Sequence, residues 1–233
     1  MKSKFFFLIV IISVLFNQSI SAQHGIGIMG GMNFANLNID PQDDRMEIHT
    51  RNGFLVGGIL NIGISQLLSL QFEPSYMQKG AEVILNFYEE GYTFKIEETV
   101  EAAYLDVPVL LRATLQTKDV RPYLIGGFTL DFLLGDVNEV LNRITINGED
   151  YTNEIPANER EQELKSNGFD LCVNFGGGLS IPMKSFTLLL EGQYSLGLLD
   201  INDEQVAQDE VKTKIRNHGF QLKAGIIFPI NSN

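Results

Sequence analysis

Six charged residues stand inside stretches otherwise apolar enough for a protein core: Glu73, Asp106, Arg112, Asp131, Glu191 and Lys223. Such groups can pair into a buried ionic network, line a path for ions, or exchange protons with a substrate at a cleft. Pairing is the strongest demand, because an ion enclosed without a partner costs several kcal/mol. Histidines offer a second chemistry. There are three, His24, His49 and His218. His49 and His218 could meet at one rim of a closed fold, with Asp43, Asp44 or Asp209 completing an acid–base set. No serine nucleophile sits nearby in sequence, so two solvated histidines are the plainer reading. A third chemistry is oxygen ligation of a divalent cation around Asn147-Gly148-Glu149-Asp150. The link 135–167 around it carries eight acids and three bases, but no spacing there matches a calcium loop. The plainer reading is a solvated acidic loop. No catalytic residue, metal ligand or cofactor is assigned.

The elements that position these charges follow from period-two alternation, the mark of a strand with two unlike faces. Eight segments show it, near 24–36, 53–65, 67–88, 92–115, 121–134, 168–182, 186–199 and 218–230. Short turns (64–67, 116–120, 182–185) alternate with longer links (37–52, the tip Glu89-Glu90-Gly91, 135–167, 200–217). In an up-and-down order all short turns fall at one end and all long links at the other. Closing the strands on themselves removes the unpaired edges of an open sheet. The expected fold is an all-β, eight-stranded antiparallel up-and-down transmembrane β-barrel, OmpA-like, with short periplasmic turns and long extracellular loops. The third and fourth strands, about 22 residues each, far exceed the ~9–11 needed to cross a membrane. Their hairpin should project outside, with Phe87, Tyr88, Tyr92 and Phe94 near its tip.

Alternation alone does not separate a membrane barrel from a soluble one. The composition of the polar face does. A soluble exterior would be crowded with Lys and Glu. Here the polar face holds small residues, amides and about one charge per strand, of both signs. In 186–199, Phe186, Leu188, Leu190, Gly192, Tyr194, Leu196 and Leu198 oppose Thr187, Leu189, Glu191, Gln193, Ser195 and Gly197. In 218–230, Phe220, Leu222, Ala224, Ile226, Phe228 and Ile230 oppose Gln221, Lys223, Gly225 and Ile227. Such a polar face suits a narrow interior nearly filled by side chains. The six charges are therefore expected to form a lumenal network, Arg112 and Lys223 pairing with Glu73, Asp106, Asp131 and Glu191, that plugs the interior. Phe34, Phe54, Phe132 and Phe220 near one end of the apolar face, and Phe186 and Phe228 near the other, suit membrane–water boundaries. Pro74 and Pro108 each remove a ladder donor inside adjacent strands, which predicts a local bulge or kink.

The first 22 residues read as a secretory signal. Lys2 and Lys4 precede an apolar run from Phe5 to Phe16, and Ser19-Ile20-Ser21-Ala22 offers small residues before a cut. With 1–22 removed, the domain 23–233 keeps 15 of 17 Lys+Arg against 29 Asp+Glu, a net charge of −14. That balance argues against nucleic acid as a partner. Cys172 is the one cysteine, most simply a small wall residue, so no internal disulfide supports the fold.

"GIGIMGGMNFANL", "LSLQFEPSYMQKG", "YLDVPVLLRA", "RPYLIGGFTLDFLLG" and "GQYSLGLLDI" resemble the PorT-like outer-membrane β-barrel family, a porin-family group abundant in Bacteroidetes. "KAGIIFPI" is similar to a C-terminal signal for the barrel assembly machinery, with Lys223, Gly225, Phe228 and Ile230 in the signal positions. It departs from the usual pattern in that Asn231-Ser232-Asn233 follow it. The resemblance implies an outer-membrane address, with membrane lipids, the assembly machinery and envelope or secretion proteins as partners. It supplies no shared catalytic motif. The expected function is a structural or interaction role without enzymatic activity. The alternatives are an accessory part in protein secretion or a narrow channel.

Overall fold

The computed structural model describes residues 24–41, 43–202 and 213–230. The expected signal peptide 1–22, Asp209 and the tail Asn231–Asn233 lie outside the described residues. Twelve strands form one antiparallel sheet: β1 (His24–Asp40), β2 (Met46–Gly63), β3 (Leu68–Phe72), β4 (Ser75–Glu89), β5 (Tyr92–Thr114), β6 (Arg121–Leu133), β7 (Val137–Ile146), β8 (Glu149–Asp150), β9 (Glu161–Leu164), β10 (Phe169–Pro182), β11 (Thr187–Gly197) and β12 (Lys214–Ile230). From β1 the pairings pass through β2, then β3 and β4, then β5, β6, β10, β11 and β12. β12 then pairs with β1 along its whole length, from His24 opposite Ile230 to Asp40 opposite Lys214.

Twelve strands stand where the alternation predicts eight, and the additions have local causes. The expected third strand is split at Glu73-Pro74, where proline has no N–H for the ladder. Pro108 sits across this break, but β5 continues through it, with Pro108 paired to Thr129. The link 135–167, expected as a solvated acidic loop, contributes β7, β8 and β9. β7 pairs with the outer half of β5, Phe94 opposite Ile146 and Glu101 opposite Asn138. Asn147 (φ 51°) and Gly148 (φ 85°) make the tight turn between β7 and β8, the conformation for which Asn-Gly is the preferred dipeptide. The expected link 37–52 is also mostly strand, since β1 runs to Asp40 and β2 begins at Met46.

Each wall has one apolar outward face and one buried face. Ile28, Val56, Leu124, Phe128, Phe175, Leu190, Leu222 and Phe228 are all at least half exposed. Asn33, Gln71, Glu73, Thr129, Asp170, Asn174 and Gln193 are buried on the opposite side. In water this arrangement would expose a broad oily belt, whereas in hydrocarbon it satisfies both faces. Rings pair across the belt near its ends: Phe34 with Phe220, Phe54 with Tyr76 and Phe132 with Phe169 at one level, Phe186 with Phe228 at the other.

The interior is layered. Met29, Leu55, Ile59, Met77, Leu110, Tyr123, Ile125, Leu189 and Ile227 form an apolar cluster toward the short-turn end. Leu37, Ala81 and Ile201, with Ile39, Ile48, Val100 and Ile215, form a second toward the other end. Beyond it the β4–β5 hairpin and β7 continue as a sheet. Glu90 (φ 50°) and Gly91 turn the tip, and Phe87 stacks on Phe94 at 5.0 Å.

In that outer sheet, half-buried Glu98 is pushed up to about 7 by burial and by the nearby Glu139 carboxylate on β7. A carboxyl raised in the folded state contributes stability that is fully present below its ordinary value of 4.5 and is lost as pH rises through about 7. Amides of β5 and β7 around Glu98 and Glu139 should therefore open more often at pH 8 than at pH 5. Hydrogen exchange corrected for its intrinsic pH dependence reads this, and Glu98→Gln should flatten the difference. Equal protection at both pH values would rule the coupling out.

Candidate functional site

All six sequence-predicted charges are buried, and they divide into two clusters at different heights. In the first, Lys223 from β12 places its Nζ 2.6 Å from Glu73 Oε2 and 2.6 Å from Glu191 Oε1. It also donates to Gln193 Oε1 at 2.5 Å. Glu191 is directly across the ladder from Lys223, and Glu73 reaches in from the break between β3 and β4. Gln71 ties the acids together by donating to Glu73 Oε1 and, at 3.1 Å, to Glu191 Oε2. The Tyr123 hydroxyl also donates to Glu191 Oε2, at 3.1 Å.

Arg112 joins this cluster differently from the expectation. No carboxylate lies within ion-pair distance of it among the described residues. Its Nη1 donates to Gln71 Oε1 at 2.9 Å and its Nε to Thr114 Oγ1 at 3.1 Å. The guanidinium lies over the Tyr123 ring, 3.7 Å from its centroid. A planar, weakly hydrated cation tolerates such a seat. Gln71 thus relays Arg112 to the two glutamates.

The second cluster corrects the expected pairing more strongly. Asp106 is directly opposite Asp131, and Asp131 is directly opposite Asp170, so three carboxylates stand in one row across β5, β6 and β10. Like charges facing across a ladder repel. Neither Arg112 nor Lys223 answers them. Lys79 of β4 does, with Nζ 2.5 Å from Asp131 Oδ2 and 3.2 Å from Asp106 Oδ2, and 4.9 Å from the Tyr104 ring centroid. Asp170 accepts from Asn217 Nδ2 at 3.1 Å and from the Leu171 amide at 2.8 Å. Cys172 donates its thiol to Asp131 Oδ2 at 3.0 Å, which is more than wall filling.

Lys79 escaped the sequence reading although its signal is plain in retrospect. Glu73, Ser75, Met77 and Lys79 alternate on one buried face, so parity carried forward from Glu73 finds it. At the adjoining Gly80 (φ +136°), an added Cβ would strike the Val100 carbonyl, so the strand alters course there with no side chain.

The other candidates do not assemble. His49 is exposed, 3.6 Å from Glu47, and His218 packs its ring against Tyr194. β1 separates the strands that carry them. Asn147 and Gly148 are occupied by a hairpin turn. Asp131, Asp170 and Cys172 each bring one potential ligand atom within 4.8 Å of the others. The Lys79 ammonium and the thiol proton already hold Asp131 Oδ2, so this group reads as part of the ionic row. In the expected C-terminal signal, Lys223 faces the interior, while Phe228 and Ile230 are about half exposed on the belt.

The family model described as outer membrane protein beta-barrel domain matches residues 16–203. No curated protein matches the sequence. Among solved structures the chain is similar to Neisserial surface protein A, at 14% identity over 88% of this chain and 97% of that one, with a TM-score of 0.41. It is similar to Ail, the attachment invasion locus protein of Yersinia pestis, at 12% identity over 88% and 99%, TM-score 0.38. It is also similar to the outer membrane protein OprG from Pseudomonas aeruginosa, at 10% identity over 90% and 97%, TM-score 0.48.

Replacing Lys79 with Met leaves Asp106 and Asp131 buried without their cation and should cost about 3–5 kcal/mol. Urea unfolding of the refolded protein in micelles measures this. Adding Asp131→Asn to Lys79→Met should recover part of the loss, and Arg112→Met should cost less than Lys79→Met. Lys79→Met as stable as the wild type would show that the row needs no counter-ion.

Proposed function

We propose, from the premise that this chain belongs to the outer membrane protein beta-barrel domain family, that it is a non-enzymatic barrel of eight walls whose work is done by the sheet it holds outside the membrane. It is an outer-membrane β-barrel protein. In our reading 1–22 export it and the short turns face the periplasm. The observation that carries the role is the continuation of β4, β5 and β7 beyond the oily belt. That sheet bears Glu82, Glu89, Glu90, Glu97, Glu101 and Glu139, together with the ring pair of Phe87 and Phe94. A projecting, acidic, aromatic-tipped sheet suits a partner with basic and apolar surface, and stays attached however the rest of the envelope moves.

The interior supports an interaction role over conduction. Two charge clusters and two apolar layers fill its middle, where the lysines and the carboxylates they meet are spent on one another. An accessory role in secretion, implied by the PorT-like resemblance, has no particular structural feature in its favour. Outer-membrane lipids remain the partners of the belt, and the assembly machinery that of the C-terminal strand.

Two measurements test this reading. Tyr88→Cys at the hairpin tip should react with a membrane-impermeant maleimide on intact cells, while Lys118→Cys in a short turn should react only after the outer membrane is permeabilised. The native Cys172 is buried and should stay silent. The reverse pattern would overturn the orientation. Purified protein in a planar bilayer should give no unitary conductance steps, and regular steps would overturn the filled interior.

A further inference from the structure

Below the first apolar layer, at the short-turn end, the interior opens into a cavity of about 300 Å³. Its composition is unlike that of the rest of the chain. The protein has 29 Asp+Glu, yet among the described residues no carboxylate lines this cavity. The lining includes two arginines, Arg112 and Arg121, and five hydroxyl side chains, Ser65, Ser69, Thr114, Ser180 and Thr187. Arg112 is 95% buried, from its 5% exposure, and sits at the floor. Arg121 stands at the mouth on the adjacent strand, its Nε donating to the Thr117 carbonyl at 3.3 Å. Neither has a carboxylate within ion-pair distance among the described residues.

We propose that this cavity is a binding site for a small oxyanion of the phosphate class, as free phosphate or as the phosphate of a lipid headgroup. Arg112 is seated for it. Its Nε and Nη1 are engaged by Thr114 and Gln71, and its plane is fixed on Tyr123. The remaining amino edge has no acceptor among the described residues. A guanidinium held in one orientation loses little entropy on binding and presents planar donors that match phosphate oxygens. Arg121 adds a second cation along the approach, and the hydroxyls of Ser69, Thr114 and Thr187 can donate to the remaining oxygens. The Glu73–Lys223–Glu191 group lies behind Gln71 and fixes the floor without extending a carboxylate into the space. The proposal takes from the reading above only the side of entry, which is the periplasm. Binding in micelles does not depend on that orientation, so the labelling experiment and this one fail separately.

The full chain, refolded in a nonionic micelle, is titrated with inorganic phosphate in a calorimeter at fixed ionic strength. Saturable binding to one site is expected. Losing one charge-assisted contact in Arg112→Gln or Arg121→Gln should weaken it about tenfold. Thr187→Glu, which sets a carboxylate at the cavity wall, should abolish it and covers the case in which Arg112→Gln does not fold. Lys118→Gln removes a turn cation outside the cavity and should change nothing. Phosphatidylglycerol added to the micelle should compete if the ligand is a lipid headgroup. Phosphatidylcholine without effect and phosphatidylglycerol without effect would together assign the site to a dissolved anion. Absence of saturable binding, or equal weakening by Lys118→Gln, would overturn the proposal.

Discussion

A single ammonium group set against a row of carboxylates is the constraint on which the walls of this protein depend. Asp106, Asp131 and Asp170 are brought side by side by the register of β5, β6 and β10, and among the described residues only Lys79 reaches between two of them. Because side chains alternate, a slip of one residue in any wall turns its whole buried set outward. In a water-exposed sheet that error exposes oily groups. Here it would drive ions into hydrocarbon, where neither water nor a partner can meet them. The ionic rows therefore specify register more sharply than they add stability. An apolar interior of equal volume would hold the walls together but would distinguish the correct register poorly.

The same logic explains the asymmetry between the two clusters. Around Lys223 the acids come from the break between β3 and β4 and from β11, so one lysine and one relayed guanidinium answer two glutamates. Around Lys79 three aspartates meet one lysine, and Asp170 is satisfied by Asn217 and backbone donors instead. Neutral donors can hold a carboxylate in place without a full counter-charge. This is why amides such as Gln71, Gln193 and Asn217 are as much a part of the interior as the ions.

The facing of nearly every wall residue was legible in the sequence because a physical boundary, oil on one side and a crowded polar interior on the other, enforces a period of two. Leu105, Val109 and Leu111 are exposed where Asp106 and Arg112 are buried, as alternation requires. Legibility ended where the boundary ended. Above the belt, Lys95 to Glu101 and Val137 to Leu141 meet water on one face and other strands on the other, and no strong contrast marks the pattern. The link 135–167 therefore read as a loop, although the turn signal Asn147-Gly148 was present within it. Partners were less legible than facing. Parity places a charge inside but does not say which neighbour it meets, since that depends on the stagger between strands. Asp106 and Asp131 looked like candidates for Arg112 and turned out to be each other's neighbours.

Stagger and layering also distribute charge along the axis. Many of the acids of a chain with net charge −12 over its full length lie in the outer sheet or in the Lys79 row, while the cavity at the opposite end has arginines and, among the described residues, no carboxylate. Between them stands an apolar layer containing Leu55, Leu110, Tyr123 and Leu189. Charges on the two sides of such a layer act across a low-dielectric gap and are weakly screened by salt, whereas charges spread over a wet surface are screened within about 8–10 Å. The polarity is therefore a property of the interior, built by which residues face inward on each wall. It would persist whether or not the outer sheet were occupied. An acidic outer end and a cationic inner end need no passage between them, since each can act on its own side of a filled wall.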